Sequence, residues 1–322
     1  MRRRDLIFVG GTAALWSLTA RAQEAGRTYR IGFLLPDPRQ SPAVDAFFDE
    51  LRLNGFIEGQ NLIVIPGGFA VPNDRVASVA ASLVAVSPDV IVAGPELPLR
   101  ALQKLTRTIP LIGMSEDMVG TGLVASLARP GGNITGISIL SPELDGKRQE
   151  ILIEAVPGVR KIAVLADSNV AEPAHLQNLQ EAAGSRGIEA LVRGVAKRDD
   201  VISAINDVKA SGAQAINFLA TPMFSLDAAD FIRHVTTLRL PSIYQFPDNA
   251  EDGALIGYGP RFTEMFRLRA RLTAKVLRGV KPSDIPVEQP TRFELVINLK
   301  TAKAIGHEIP SGLLSRADKV IE

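Results

Sequence analysis

The sequence predicts an α/β protein of two doubly wound, Rossmann-like parallel-sheet lobes, and three observations predict it. Short apolar strands alternate with helical periodicity from about residue 30 onward. The runs Val90, Ile91, Val92 and Ile162, Ala163, Val164, Leu165 are apolar at every position, as parallel strands are when helices cover both faces of the sheet. The third observation is an internal echo. YRIGFLLPDP (29–38) resembles RKIAVLADSN (160–169), TIPLIG (108–113) resembles RLPSIY (239–244), and PDVIVAGP (88–95) resembles AQAINFLATP (213–222). Ile31 and Ile162, Pro110 and Pro241, and Gly122 and Gly253 are all 131 positions apart. Solenoid repeats run to roughly 20 to 50 residues, so this period marks a duplicated domain. RPGGNITGIS (129–138) reads as the crossover between the two copies, because Pro130 ends any helix through 123–128 and Gly131, Gly132 and Asn133 accept turn geometry.

The elements follow in order. A strand over 30–35 leads to Ser41 and Pro42, an N-cap and first-turn proline for a helix to Asn54 with Val44, Phe47, Phe48 and Leu51 on its core face. Gly55 stops it. Strands at 61–65, 89–93 and 111–113 alternate with helices at 74–86, capped by Asn73 or Asp74, and at 97–105. In the second copy, helices at 142–155, 174–186, 200–210 and 226–238 alternate with strands at 161–166, 189–192, 215–219, 242–245 and 255–258. The helix at 142–155 places Lys147, Arg148 and Glu150 on a charged side. Pro260 opens a long helix over 262–277 that Gly279 ends; an extended connection (281–290), a strand over 293–298, a short helix to Ile305 and the tail Lys319, Val320, Ile321 complete the chain.

Length and composition fit two soluble domains: 322 residues, 46% hydrophobic, 22% charged. Formal net charge is +1, but residues 1–22 carry four arginines against one aspartate, leaving 32 basic and 34 acidic residues in the remainder. That balance gives no nucleic-acid footprint. Residues 1–22 have the parts of a cleavable export signal: Arg2 to Arg4, an apolar stretch, and Ala20, Arg21, Ala22 as a small-x-small cleavage site, with an Arg3, Arg4 pair of twin-arginine type. The apolar stretch is short of the ~20 residues a membrane-spanning helix needs. With no cysteine, disulfides, thiolate metal sites and a lipidated cysteine are excluded. The expectation is a periplasmic, monomeric protein with no membrane insertion of the mature chain.

In open parallel sheets, ligands sit outside the carboxyl ends of the strands. Two such lobes facing one another make a cleft walled by their strand-to-helix loops. The candidate ligand-binding residues are Pro36, Asp37 and Ser41, then Gly94, Pro95 and Glu96, then Ser115 and Glu116 in the first lobe, with Asp167, Asn169, Thr221, Tyr244, Gln245 and Asp248 as their second-lobe counterparts. Tyr244 and Phe246 offer ring surfaces, and Glu116 or Asp117 with Asp248, Glu251 or Asp252 could pair across the cleft. No nucleophile elbow, Walker loop, dinucleotide fingerprint or zincin motif is found, and His175, His234 and His307 have no metal-ligand spacing, so no catalytic residues, metal or cofactor are expected.

LARPGGNITGIS (127–138), EAVPGVRKIAVL (154–165), IYQF (243–246), IGYGP (256–260) and above all PVEQPTRFELVINLKTAKAIG (286–306) resemble the ABC-transporter substrate-binding proteins of the type I periplasmic-binding-protein fold, in the branch that includes aromatic amino-acid binders. The resemblance implies two lobes joined by a three-crossover hinge, with 28–136 and about 259–288 in the first lobe and 137–258 and about 289–322 in the second. It also implies capture of a small molecule, amino-acid-like or aromatic, by hinge closure and its delivery to an ABC permease in the inner membrane. This chain departs from the family at Pro95 and Glu96, where small polar residues are usual after the third strand, and at Glu116, Asp117 and Met118, where a short Asp-Pro turn is usual after the fourth. A ligand-binding sensor reporting to a membrane partner is the alternative; an enzyme in the same cleft would need a base and nucleophile that the sequence does not offer.

Overall fold

The computed structural model describes residues 26–139, 141–225 and 228–322, with backbone alone at 141–143. The expected export segment, 1–22, lies outside the described residues. The first sheet is built from β1 (Tyr29–Leu34), α1 (Pro42–Leu53), β2 (Leu62–Val64), α2 (Val76–Ala85), β3 (Val90–Ala93), α3 (Glu96–Leu105), β4 (Leu111–Ser115) and β5 (Ile134–Ser138). Its strands are parallel in the order β2-β1-β3-β4-β5. The chain then makes α4 (Ser141–Ala155), β6 (Lys161–Asp167), α5 (Pro173–Gly184), β7 (Glu189–Val195), α6 (Val201–Ala210), β8 (Ala215–Phe218), α7 (Pro222–Ser225), α8 (Ala228–Thr237), β9 (Ser242–Tyr244), α9 (Pro247–Glu251) and β10 (Ile256–Gly259). Helix α10 (Phe262–Leu277) returns to the first sheet, and β11 (Glu294–Asn298), α11 (Leu299–Ile305), α12 (Ser311–Leu314) and β12 (Lys319–Ile321) finish the second. That sheet runs β12-β11-β10-β9-β8-β6-β7, parallel except where β11 pairs antiparallel with β10.

The internal echo is therefore topological. The order β2-β1-β3-β4-β5 reappears as β7-β6-β8-β9-β10, with Ile31 and Ile162 on the two pivotal strands and Pro110 and Pro241 just ahead of β4 and β9. Each sheet is buried on both faces. Along β1, Ile31 and Phe33 pack with Phe47 of α1 and Phe266 of α10, while Leu34 faces the opposite way onto Leu83 of α2 and Leu99 of α3. The second sheet divides its core in the same way, with Val164 on one side and Leu165 on the other.

Three crossovers join the sheets: after Ser138, between Gly259 and Phe262, and through the extended residues ahead of Glu294. The last of these is tied to the first lobe before it leaves, since Glu288 N donates to Gly136 O and Glu288 O accepts from Ser138 N. The chain thus passes to the second sheet after β5, and the 129–133 loop ahead of that strand belongs wholly to the first lobe. Residues 123–128 form turns instead of a helix. Ser126 Oγ exchanges hydrogen bonds with Arg129, and the Leu127 carbonyl accepts from Val287, so the groups a helix would use are already spent. The helix start near Asn73 is a single 3₁₀ turn, and neither Asn73 nor Asp74 caps α2 through its side chain. Ser41 does cap α1, accepting from Val44 N with Pro42 first in the helix.

Candidate functional site

The carboxyl ends of the two parallel sheets face one another and touch. Gln245, just past β9, donates through Nε2 to both carboxylate oxygens of Glu116, just past β4, at 3.1 and 3.2 Å. This bond joins two residues singled out from opposite lobes. Beneath it lies Arg148 of α4, which is fully buried. Its Nη1 pairs with Asp145 Oδ1 at 2.7 Å, its Nε donates to the Tyr258 carbonyl at 2.8 Å, and its Nη2 reaches the Gln245 carbonyl at 3.5 Å. Burial pushes the guanidinium below the ordinary arginine value, while Asp145 and Glu116 pull it back up. Asp145 also accepts from Ala220 N through Oδ1 and faces His175 Nε2 at 3.2 Å through Oδ2. The expected grouping of Arg148 with Lys147 and Glu150 on one charged side is overturned: Arg148 is buried toward the cleft, while Lys147 and Glu150 stay exposed as a pair. Gly259 lets β10 approach closely enough for the network, since a Cβ there would sit 2.0 Å from the Gln245 carbonyl.

The remaining second-lobe candidates fall into two groups. Asp167, at the end of β6, accepts from Thr221 Oγ1 at 3.0 Å and from Asn169 N and Nδ2 at 2.9 Å. The three residues form one hydrogen-bonded corner of the cleft. Tyr244 and Asp248 do not join it. The Tyr244 ring stacks on Phe218 at 4.4 Å within the core, its hydroxyl is buried without a partner, and burial raises its pKa. The Phe246 ring packs against Phe262. Neither ring face is presented as a free stacking surface. Asp248 Oδ2 accepts from Phe262 N at the start of α10, and burial pushes its carboxyl above the usual value against that bond and the nearby Arg261. Asp117 holds its own turn through Val119 N and Gly120 N, and Glu251 pairs with Arg261 and Lys319. Asp117, Asp248 and Glu251 are thus occupied locally, and Glu116 reaches across the cleft to an amide, Gln245, instead of to a carboxylate.

In the first lobe, Pro36 and Asp37 follow β1, and the Asp37 carbonyl accepts from Ala70 N. Ser41 is spent as the α1 cap. Gly94 and Pro95 are joined by a cis peptide, and Gly94 runs so close to β4 that a Cβ would lie 2.7 Å from the Met114 carbonyl. Glu96 pairs with Arg100 along α3. Ser115 is buried at the end of β4, where its carbonyl accepts from Ile139 N at the first crossover.

Sequence reasoning missed Asp145, Arg148, Asn217 and Arg269. Asn217, in the centre of β8, is fully buried, reaches the Asp145 carbonyl through Nδ2 at 3.5 Å, and leaves Oδ1 without a partner. Arg269 of α10 donates through Nη2 to the Ala93 carbonyl at 2.8 Å. Both buried cations had a visible signal. Asp145 and Arg148 stand three apart on the first helix after a crossover, and Arg269 falls in phase with the apolar stripe of Met265, Phe266, Ala270 and Thr273. No group of His, Cys, Asp and Glu suited to a metal occurs among the described residues, and no described helix is long and apolar enough to cross a membrane.

Two α/β lobes, facing strand end to strand end across three crossovers, define a hinged receptor of the type I periplasmic-binding-protein architecture. The chain belongs to the family of ABC transporter substrate binding proteins, whose model matches residues 38–321. A tyrosine-binding protein of Clostridioides difficile (strain R20291) is 26% identical over 279 residues, 85% of this chain and 79% of that protein. The crystal structure of a conserved domain protein from Vibrio cholerae superposes with a TM-score of 0.79 at 27% identity, covering 91% of this chain and all of that one. A domain from Streptococcus pneumonia crystallised with L-Trp shares the fold, with a TM-score of 0.77 at 23% identity over 91% of this chain and all of its own. The family is one of binding proteins.

Proposed function

We propose that this chain is the periplasmic solute-capturing component of an ABC importer, holding an amino-acid-like or aromatic small molecule between its lobes and presenting it to an inner-membrane permease. The observation that carries this reading is the Glu116–Gln245 bond above buried Arg148, which brings polar groups of both lobes together where a ligand would be enclosed. Closure of this kind is driven by the contacts the ligand makes in the closed state and lacks in the open one. The ligand names of the relatives, tyrosine and L-Trp, supply the chemical class. The ligand-contacting set is Asp37, Glu116, Asp167, Asn169, Thr221 and Gln245, with Arg148 holding the Gln245 carbonyl from beneath. With the rings of Tyr244 and Phe246 already packed, an aromatic ligand would rest on these polar walls for orientation.

The test is isothermal titration of the chain from Gln23 with L-tyrosine, L-tryptophan and L-phenylalanine, with glucose and ribose as controls. One-to-one binding at a Kd of about 10 μM or tighter is expected for at least one aromatic amino acid, together with a rise in melting temperature. Binding by a sugar and by no amino acid would overturn the ligand class. Steady turnover of a bound compound would overturn the reading as a receptor.

A further inference from the structure

Arg269 is a costly side chain for the first lobe to bury. It is fully buried on α10, yet Nη2 makes the one described hydrogen bond, to the Ala93 carbonyl, while Nε and Nη1 have no partner. Phe266 lies under the guanidinium at 4.9 Å from its ring centroid, a weak compensation for five N–H donors. Asp37 attracts the guanidinium but takes neither open nitrogen. Burial brings its pKa down to about 10, so it still carries its charge at neutral pH. An ionised group buried with donors unmet is destabilising unless another acceptor arrives.

The location says where that acceptor would come from. Ala93 is the last residue of β3 and Asp37 lies just past β1, so the groups around Arg269 stand at the carboxyl end of the first sheet. The loops they begin, at 35–37 and 94–96, are the first lobe's wall of the cleft. We infer that Arg269 is a specificity-determining anion receptor, whose open nitrogens take a carboxylate of the bound ligand at this wall. The inference rests on the reading of the cleft as a solute site and narrows its substrate class to carboxylate-bearing molecules. The two open nitrogens lie on different edges of the planar guanidinium, each beside Nη2, so a carboxylate oxygen can accept from either of them while the charge stays shared over the plane. With Asp37 beside it, the charge pattern suits an α-amino acid: carboxylate on Arg269 and ammonium toward Asp37.

The experiment titrates the chain from Gln23, as wild type, R269M and R269K, with three probes. L-Tyrosine carries both charges, L-tyrosinamide lacks the carboxylate, and 3-(4-hydroxyphenyl)propionate lacks the ammonium. Wild type is expected to prefer tyrosine over its amide at least 10-fold. R269M should lose that preference while binding the amide as before, and R269K should recover part of it. Without ligand, R269M should unfold at the same or a higher urea midpoint than wild type, which a structural arginine would not allow. An undiminished carboxylate preference in R269M overturns the inference and leaves the cleft reading intact. So does a destabilised R269M whose ligand preference is unchanged, because the guanidinium is then held by buried water. Binding of the propionate through Arg269 with no binding of tyrosine sinks the amino-acid reading and keeps the receptor. If none of the three probes binds wild type, the inference falls, and the titrations with L-tryptophan, L-phenylalanine and the sugars decide the reading of the cleft.

Discussion

The two walls of the cleft each bury an arginine, and they treat it oppositely. Arg148 in the second lobe is embraced by the Asp145 carboxylate and by the carbonyls of Tyr258 and Gln245. Arg269 in the first lobe has one carbonyl and two idle nitrogens. The same side chain is thus a structural member in one wall and an unfinished one in the other. A buried cation is a poor way to stabilise a fold, but removing one partner of a completed pair is costlier still. The second lobe has therefore committed its charge to holding the wall together, and the first lobe keeps its charge open.

That contrast predicts the largest effect in the molecule. R148M leaves Asp145 buried without its main counter-charge and leaves the carbonyls of Tyr258 and Gln245 without their donor, and it should cost about 3–5 kcal/mol in urea unfolding. R269M, the same substitution across the cleft, should cost nothing. If the two variants lose equal stability, the distinction between a completed and an open arginine is false. The corner at Asp167 offers a smaller version of the test. T221V removes one hydrogen bond to a buried carboxylate that keeps two from Asn169, and should cost about 1–2 kcal/mol in the same assay.

The contrast also explains what could be read from the chain in advance. Strand runs such as Val90, Ile91, Val92, the 131-residue echo and the cap at Ser41 are local or periodic signals, so the lobes and most elements were legible. The cleft positions after each strand were legible too, because the carboxyl end of a parallel strand is a topological address. Which side chain at an address faces the cleft was not. Arg148 shares α4 with the exposed Lys147 and Glu150, and only the way that helix lies against β8 and β9 decides which charge is swallowed. Tyr244 promised a ring for a ligand and instead spends it on Phe218, which lies in β8 and becomes its neighbour only when β8 and β9 pair. Arg269 showed only as one charge in phase with the apolar stripe of a long amphipathic helix, and the acceptor it asks for is not placed by the sequence alone.

The bond between the walls is weaker than either arginine site. Glu116 is half-buried and Gln245 buried where they meet, but opening of the cleft lets water take up Gln245 Nε2, so E116A should change global stability by only about 1 kcal/mol. Its effect belongs to the hinge. The ligand-free variant should spend more time open, seen as a larger radius of gyration in small-angle scattering than wild type under the same conditions. An unchanged radius would mean that the crossovers alone set the opening.

The smallest expected effect sits at the hinge helix. Asp248 holds the first backbone N–H of α10, yet burial is the larger influence and leaves its carboxyl with a raised pKa in the folded state. The folded protein therefore binds a proton more tightly at this site than the unfolded chain does. Its contribution is most favourable below the unfolded value of about 3.9 and is lost as pH rises through the folded value, beyond which it is constant. In D248N the amide oxygen can still accept from Phe262 N, but the titration is gone. Urea midpoints measured from pH 3.5 to 7 should consequently fall less with rising pH in D248N than in wild type. Parallel profiles would assign the acid-side slope to Asp252, whose carboxyl is also raised by burial and by the neighbouring Asp248 and Glu251.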